Sequence, residues 1–221
     1  MACLTWVFLL RGCSWVLLVM LLSCREGAVV GSYVKPSSCD SLECPSYRVV
    51  HYEENLEIRS YDKAVWMATP PINSTSYTEA SNLGFLSLFA YIQGKNEQGA
   101  KIEMTTPVLV DIIPSTGPFC NSNFVVRFYV PRAHQKAPPR SDKVRPETWP
   151  GPRYAAVRRF GGFLNDANIP VEAAALRSSL HGTPWEAAAG GGGARPARYT
   201  VAGYNSPFEF QNRVNEVMFL F

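Results

Sequence analysis

Short runs of β-branched and aromatic residues, separated by polar turns, recur from Tyr47 to the end of the chain. Runs of this length and composition are typical of β-strands. The pattern predicts strands over residues 47–52, 56–61, 65–69, 107–113, 124–130, 154–160, 199–204 and 213–221. Residues 131–152, rich in proline and charge, are predicted to form a loop.

Two segments change to a helical period. Over residues 76–93, apolar side chains recur every three or four positions, which predicts an amphipathic helix. Ser76 with Glu79 three residues later forms a capping-box signature, and Gly94 is a typical helix stop. The alanine-rich residues 166–180 predict a second helix.

The order strands, helix, strands therefore occurs twice. Two helices against a largely antiparallel sheet predict an α+β domain, and the short connections would allow the sheet to wrap into a distorted barrel of two pseudo-symmetric halves. The glycine-rich residues 187–197 form a predicted surface loop without the Lys-Ser/Thr of a phosphate-binding loop.

Composition fits this picture. Of the 221 residues 47% are hydrophobic, which is enough for a full core and excludes a largely disordered chain. The formal net charge of +3 gives no electrostatic footprint of a nucleic-acid-binding protein, so no nucleic-acid partner is expected.

The first 24 residues predict a secretory signal peptide. They combine Arg11, the apolar run 15–22 and a small residue, Ser23, after it. A retained membrane anchor is the alternative, although an anchor long enough to span a bilayer would place Arg11 in the hydrocarbon. Residues 25–45 are predicted to be a linker, and the mature protein is expected in the secretory pathway, extracellular or vacuolar, with no stable membrane anchor.

Cysteine usage agrees with an exported protein. Cys39 and Cys44 are close enough in sequence to close a small disulfide loop, whereas their spacing differs from a CxxC metal motif. Cys120 is expected to be an inert thiol. The sequon at Asn73 follows two prolines and predicts an exposed turn that can be glycosylated.

Catalytic motifs of the GxSxG, HExxH and Walker types are absent from the sequence, which favours a binding protein over an enzyme. Phe85 and Phe89 lie four residues apart and so share one face of the first predicted helix. That face could line an apolar groove for a planar ligand, with Met104 near it, or it could be ordinary core.

Six sequence motifs, in order, resemble those of the SOUL haem-binding protein family, and most closely those of its plant-type members. They are LEIRSYDKAVWMATP, FLSLFAYIQGKN, KIEMTTPVL, VRFYVP, VRRFGGF and YNSPFEFQNRVNEVMF. The resemblance covers residues 46–221. It implies a distorted barrel of two pseudo-symmetric halves, each a four-stranded sheet with a helix, and non-covalent binding of haem or a related tetrapyrrole as a carrier or buffer.

The resemblance also implies ligand-binding residues in an apolar groove beside the first predicted helix. The expected contacts are Phe85, Phe89, Asn82, Met104 and Phe208. Two basic positions of the family fall on Asn82 and near Glu209 in this chain, and a proposed axial histidine falls on Ser60.

His51 is the remaining histidine candidate for iron, although a histidine within a strand is more often structural. Because the basic groups are missing, a module that binds another small molecule or a protein on the same fold stays open as an alternative.

Overall fold

Ten strands form one antiparallel sheet in the computed structural model, which describes residues 35–115, 121–190 and 198–221. The strands are β1 (Tyr47–Glu53), β2 (Leu56–Tyr61), β3 (Ala64–Ala68), β4 (Ile72–Ser74), β5 (Val108–Ile113), β6 (Ser122–Tyr129), β7 (Arg145–Trp149), β8 (Arg153–Phe160), β9 (Tyr199–Gly203) and β10 (Asn215–Leu220). The helices are α1 (Ser38–Ser41), α2 (Tyr77–Ile92) and α3 (Asn168–Leu180), with a 3-10 turn at Arg132–His134.

The sheet consists of two halves that exchange strands: the first half contributes the β1–β2 hairpin to the other side, and the second half contributes β7. Its order is β1-β2-β8-β10-β9-β5-β6-β3-β7, with β4 added beside β6. On either side of the central β9–β5 pair, the next two strands come from the same half of the chain. The fourth comes from the other half, because β2 pairs with β8 and β7 pairs with β3. The predicted duplication is thus present, with its first strands swapped.

The helices cover the outer face of this curled sheet. Residues alternate along each strand, so that on β10 Val217 and Phe219 face α3 while Met218 faces the barrel interior. Helix α2 packs in the same way on β4 and β6. The predicted α+β class and distorted barrel are confirmed.

Aromatic side chains join the exchanged strands inside the barrel. Trp149 of β7 lies with its ring centroid 4.9 Å from that of Trp66 on β3 and 5.8 Å from that of Tyr61 on β2. Trp66 and Trp149 are both almost completely buried. The two swapped strands therefore share one interior cluster.

Buried ion pairs complete the interior. The guanidinium of Arg59 on β2 donates two hydrogen bonds, of 2.8 and 2.7 Å, to the carboxylate of Glu216 on β10. The Tyr204 hydroxyl donates to the same carboxylate at 2.9 Å. A second pair joins Arg127 to Asp111 with an N–O distance of 2.7 Å. Both acids are fully or almost fully buried.

These pairs predict acid sensitivity. Burial alone would raise the pKa of Glu216, but attraction from Arg59 and its hydrogen bonds outweigh burial and lower that pKa. For Asp111, burial again raises the pKa, and Arg127 together with hydrogen bonds from Arg198 and Thr200 outweighs burial, so this pKa is also lowered. A carboxylate with a lowered folded-state pKa stabilises the fold above its unfolded pKa of about 4, and the stabilisation is lost as the pH falls toward the folded value.

We therefore expect the free energy of unfolding to stay level between about pH 7 and pH 5 and to fall below about pH 4. Urea denaturation at stepped pH measures it. An unfolding free energy that is unchanged down to about pH 3 would contradict this assignment of the two carboxylates.

Three sequence-based expectations need correction. Strand β7 lies within residues 131–152, which were predicted to be a loop; it pairs with β3 along an edge of the sheet. Asn73 lies on β4 and not on a turn. Residues 35–45 are not a linker, because Cys39 is buried in the core and the Glu43 carbonyl accepts a hydrogen bond from the Thr106 amide.

Several predictions fall outside the described residues. The leader, residues 25–34, Cys120 and most of the glycine run 190–193 belong to this group. Within the residues that are described, none of the helices has the length and apolarity needed to cross a bilayer.

Candidate functional site

A cavity of about 730 Å³ opens beside α2, and we call it the apolar groove. Four segments form its walls: α1 with Leu42, one face of α2, residues 104–108, and residues 203–209 at the end of β9. Its volume lies within the range of small-molecule sites, about 300–1,000 Å³. Residues from both halves of the chain are therefore needed to form the groove.

Helix α2 is fixed at its start by polar contacts. The Ser76 hydroxyl accepts a hydrogen bond from the Glu79 amide, as the capping-box signature predicts. The Asp166 carboxylate accepts hydrogen bonds from the Tyr77 amide and from the Ser76 hydroxyl. These bonds lower the pKa of Asp166 against a burial effect that would raise it. Residues just before α3 thus hold the helix that carries the groove wall.

Two stacked rings form the centre of the helix wall. The ring centroids of Phe85 and Phe89 are 5.7 Å apart, with 13° between the ring planes. Phe85 also packs edge-on against Phe128 of β6, at 5.3 Å, and so belongs partly to the core. Phe89 is 40% exposed and Leu86 is 63% exposed, so both present apolar surface to the groove.

Two threonines in the groove lining, Thr105 and Thr106, use their hydroxyl groups in hydrogen bonds to backbone carbonyls. The Thr105 hydroxyl donates to the Tyr129 carbonyl at 2.6 Å, and the Thr106 hydroxyl donates to the Tyr204 carbonyl at 3.0 Å. These bonds tie residues 104–106 to β6 and to the end of β9. Met104, half-buried beside them, contributes its thioether to the apolar lining.

A disulfide holds the wall opposite the helix. Cys39 and Cys44 are joined, and the loop between them carries Ser41 and Leu42 into the groove lining. Glu43, also inside this loop, forms a parallel bridge with Thr105. The sequence indicated the disulfide but not this wall, because the contact between residues 43 and 105 has no local signal.

The last wall is the rim loop, residues 205–213. The Asn205 side-chain oxygen accepts a hydrogen bond from the Val214 amide at 2.7 Å, which closes the loop. Arg213 donates to the carbonyls of Ser206 and Glu209. Phe208 projects from this loop and is 84% exposed.

The structure brings together four of the five predicted ligand contacts: Phe85, Phe89, Met104 and Phe208 all line the groove. Asn82 lies on α2 but is exposed and does not line it. The sequence left open whether the phenylalanine pair lines a groove or belongs to the core, and both are true. Phe85 packs against the core as well as lining the groove, and Phe89 is exposed in the groove.

The predicted metal candidate is elsewhere. His51 lies on β1, at the far edge of the sheet, and three strands separate β1 from β9 in the sheet order. Its ring nitrogen Nε2 is 2.9 Å from the Glu53 carboxylate. Residues 35–115, 121–190 and 198–221 contain no group of three or more His, Cys, Asp or Glu side chains placed to hold a metal ion.

Glycosylation of Asn73 stays a prediction. Its side chain is exposed, and its amide forms a hydrogen-bonded chain with Asn121 and Asn123.

Comparison with known proteins gives one consistent result. The family model described as SOUL heme-binding protein matches residues 42–220. Human Heme-binding protein 2 is 35% identical over 168 residues, covering 74% of this chain and 76% of the relative. Mouse Heme-binding protein 2 is 31% identical and covers 82% and 87% of the two chains. Heme-binding protein 1 of Xenopus laevis is 28% identical, covering 75% and 83%.

A solved structure, the EcmrR C-terminal domain, superposes with a TM-score of 0.48 at 8% identity; the match covers 79% of this chain and 98% of that one.

Proposed function

Because this chain belongs to the SOUL haem-binding protein family, we propose that it binds haem or a related tetrapyrrole without a covalent bond, as a carrier or buffer. We place the ligand in the apolar groove. The observation that supports this site is the stacked pair Phe85 and Phe89, whose outer ring is 40% exposed in a groove of ligand size.

The groove is better suited to contact a porphyrin ring than to bind the carboxylates attached to that ring. An exposed phenylalanine face, with Leu86 and Met104 near it, offers the flat apolar contact that a porphyrin ring favours. Bound haem would supply an iron centre, and the Met104 thioether is the sulfur ligand available in the lining. None of the described lining residues is lysine, arginine or histidine. Burial of the ring is therefore the main source of affinity.

The hydrogen bonds of the hydroxyl groups around the groove support a carrier role. Thr105 and Thr106 donate to backbone carbonyls, and the Tyr204 hydroxyl donates to buried Glu216. Each is committed to a structural hydrogen bond. The carboxylate that accepts from Tyr204 is itself paired with Arg59, so none of the three hydroxyls is arranged as an activated nucleophile would be.

The alternative, a module for another small molecule or for a protein, has one observation in its favour. Phe208 and Leu86 are 84% and 63% exposed at the groove mouth, and the charged residue of the lining is the acidic Glu209. Exposed apolar surface with an acidic edge suits a ligand without free carboxylates. Haem is the stronger proposal because the family supports it.

An absorption titration with haemin tests the proposal. We expect a saturable one-to-one shift of the Soret band, and a loss of affinity of about 10-fold or more for Phe89→Ala, because one ring face of burial is removed. Tyr52→Ala is the matched control. Tyr52 is 39% exposed, almost the same as Phe89, but lies on β1 outside the groove.

His51→Ala should also leave the spectrum and the affinity unchanged, since His51 is not among the residues that line the groove. A signal that rises without saturation and is equal in Phe89→Ala and Tyr52→Ala would indicate surface adsorption. In that case haem binding in this groove would be wrong, and the alternative ligands would be tested next.

A further inference from the structure

The groove has an acidic rim. Glu209 is the charged residue among its described lining residues, and the other polar groups there are neutral serine, threonine, tyrosine and asparagine side chains or backbone. A tetrapyrrole diacid placed against Phe89 would bring carboxylates toward this rim. The sign of the rim charge therefore affects which tetrapyrroles bind.

Glu209 is held in position by its own loop. One carboxylate oxygen accepts a hydrogen bond from the Asn205 side chain at 2.9 Å, and the other accepts one from the Ser206 amide at 3.0 Å. These two bonds lower the pKa of Glu209, so the side chain is ionised at neutral pH. Because both oxygens are engaged by the loop, the charge stays at the rim.

Neighbouring cations do not line the groove. The Arg213 guanidinium donates to the backbone carbonyls of Ser206 and Glu209, and it stacks 4.3 Å from the ring centroid of Phe163. The Lys35 ammonium donates to the Cys39 carbonyl and lies 3.6 Å from Asp40. Arg213 is near enough to attract the Glu209 carboxylate, but neither Arg213 nor Lys35 is part of the groove lining. Glu209 is therefore the charged side chain that a bound ligand contacts at the rim.

We propose that Glu209 makes the groove select tetrapyrroles whose carboxylates are esterified or otherwise neutral over the free dicarboxylic acids. This inference rests on the proposed tetrapyrrole binding and adds the ligand class. Two like charges at a water-exposed rim repel one another, and the repulsion weakens with salt because the Debye length shortens. Ring burial is the same for the acid and its ester, so the difference between them reports the rim charge.

Fluorescence titration of the full protein with mesoporphyrin and with its dimethyl ester tests the proposal. Both ligands lack iron, so axial ligation does not contribute. We expect Glu209→Gln to raise the affinity for the diacid by about 5–10-fold and to change that for the ester by less than about twofold. Glu54→Gln, an exposed carboxylate in the β1–β2 turn, is the control and should change neither.

Two further measurements separate charge from loop structure. Raising sodium chloride from about 10 mM to about 1 M shortens the Debye length from about 30 Å to about 3 Å, and should raise the diacid-to-ester affinity ratio in the unaltered protein. Ser41→Lys adds a cation on the disulfide wall without touching the rim loop, and should favour the diacid about 5-fold.

The outcomes are distinct. If both porphyrins bind and the diacid affinity changes with none of Glu209→Gln, Ser41→Lys and salt, the selection by Glu209 is wrong while tetrapyrrole binding stands. If neither porphyrin binds, the proposed function itself fails, and this inference fails with it.

Discussion

Replacing Glu216 by glutamine is expected to lower the free energy of unfolding by about 3 kcal/mol, because the buried Arg59 guanidinium loses one of its two carboxylate partners. Glu57, 2.7 Å from Arg59, remains, which keeps the loss near the lower end of the range for a broken buried pair. The Glu216 and Arg59 side chains have no exposed surface. The pair also joins β10 to β2, which belong to opposite halves of the chain. Urea denaturation at neutral pH measures the loss.

Glu172→Gln is the matched control for this change. Its carboxylate pairs with Arg158 at 2.8 Å, but the two side chains are 22% and 23% exposed. Water screens such a pair, so the expected loss is below about 1 kcal/mol. An equal, small loss in both variants would show that the interior pair adds nothing beyond an ordinary surface ion pair.

Gly84→Ala is the second change with a large expected effect, and its sign is opposite to the usual one. Alanine in place of glycine inside a helix normally stabilises by about 1 kcal/mol. Here a β-carbon on residue 84 would lie 2.7 Å from Cβ of Val126 and even closer to its Cγ2. We expect a net loss of about 1–3 kcal/mol, because α2 must move away from β6. Thermal or urea unfolding measures it.

Two variants test the cause of that loss. Asn82→Ala, at an exposed position of the same helix, should stabilise by about 0.5 kcal/mol through helix propensity alone. Val126→Ala removes the nearest contact, Cγ2, but keeps Cβ, so Gly84→Ala should cost less in that background without becoming neutral. If Gly84→Ala stabilises the unaltered protein, the close approach of α2 to β6 is wrong. Since α2 carries Phe85 and Phe89, the same variant should also weaken haemin binding.

Local pattern was sufficient for α2 but not for what holds it. The three- and four-residue period and the Ser76–Glu79 signature predicted the helix and its start, and the structure has both. The carboxylate that also caps this helix is Asp166, ninety residues later in the chain. Such a partner follows from how the two halves pack, which no local pattern encodes.

Strand β7 shows why an edge strand escapes detection. Its sequence, RPETW, contains a proline and two charged residues, and these features normally predict a loop. At the edge of a sheet one side of the backbone has no partner strand, so a proline is tolerated and charges are favoured. The prediction of a loop was therefore wrong for a physical reason specific to edges.

Two of the walls of the groove could be predicted from the sequence, and the disulfide wall could not. The four-residue spacing of Phe85 and Phe89 indicated one wall, and the family resemblance added Phe208 on another. The disulfide wall depends on the bridge from Glu43 to Thr105, sixty-two residues away. Asn82 was predicted from its matching position in the family, but it is exposed on α2 and is not among the residues that line the cavity.

The exchange of the β1–β2 hairpin and β7 gives this single chain the arrangement of a strand-swapped dimer whose two subunits are joined covalently. In separate halves, β7 would lose its partner β3, and the β1–β2 hairpin would lose its pairing with β8, unless a second copy supplied them, so assembly would depend on protein concentration. The connection between β6 and β7 makes that pairing intramolecular, with the effective concentration of a tethered partner. The barrel, and the groove built on it, therefore persist on dilution.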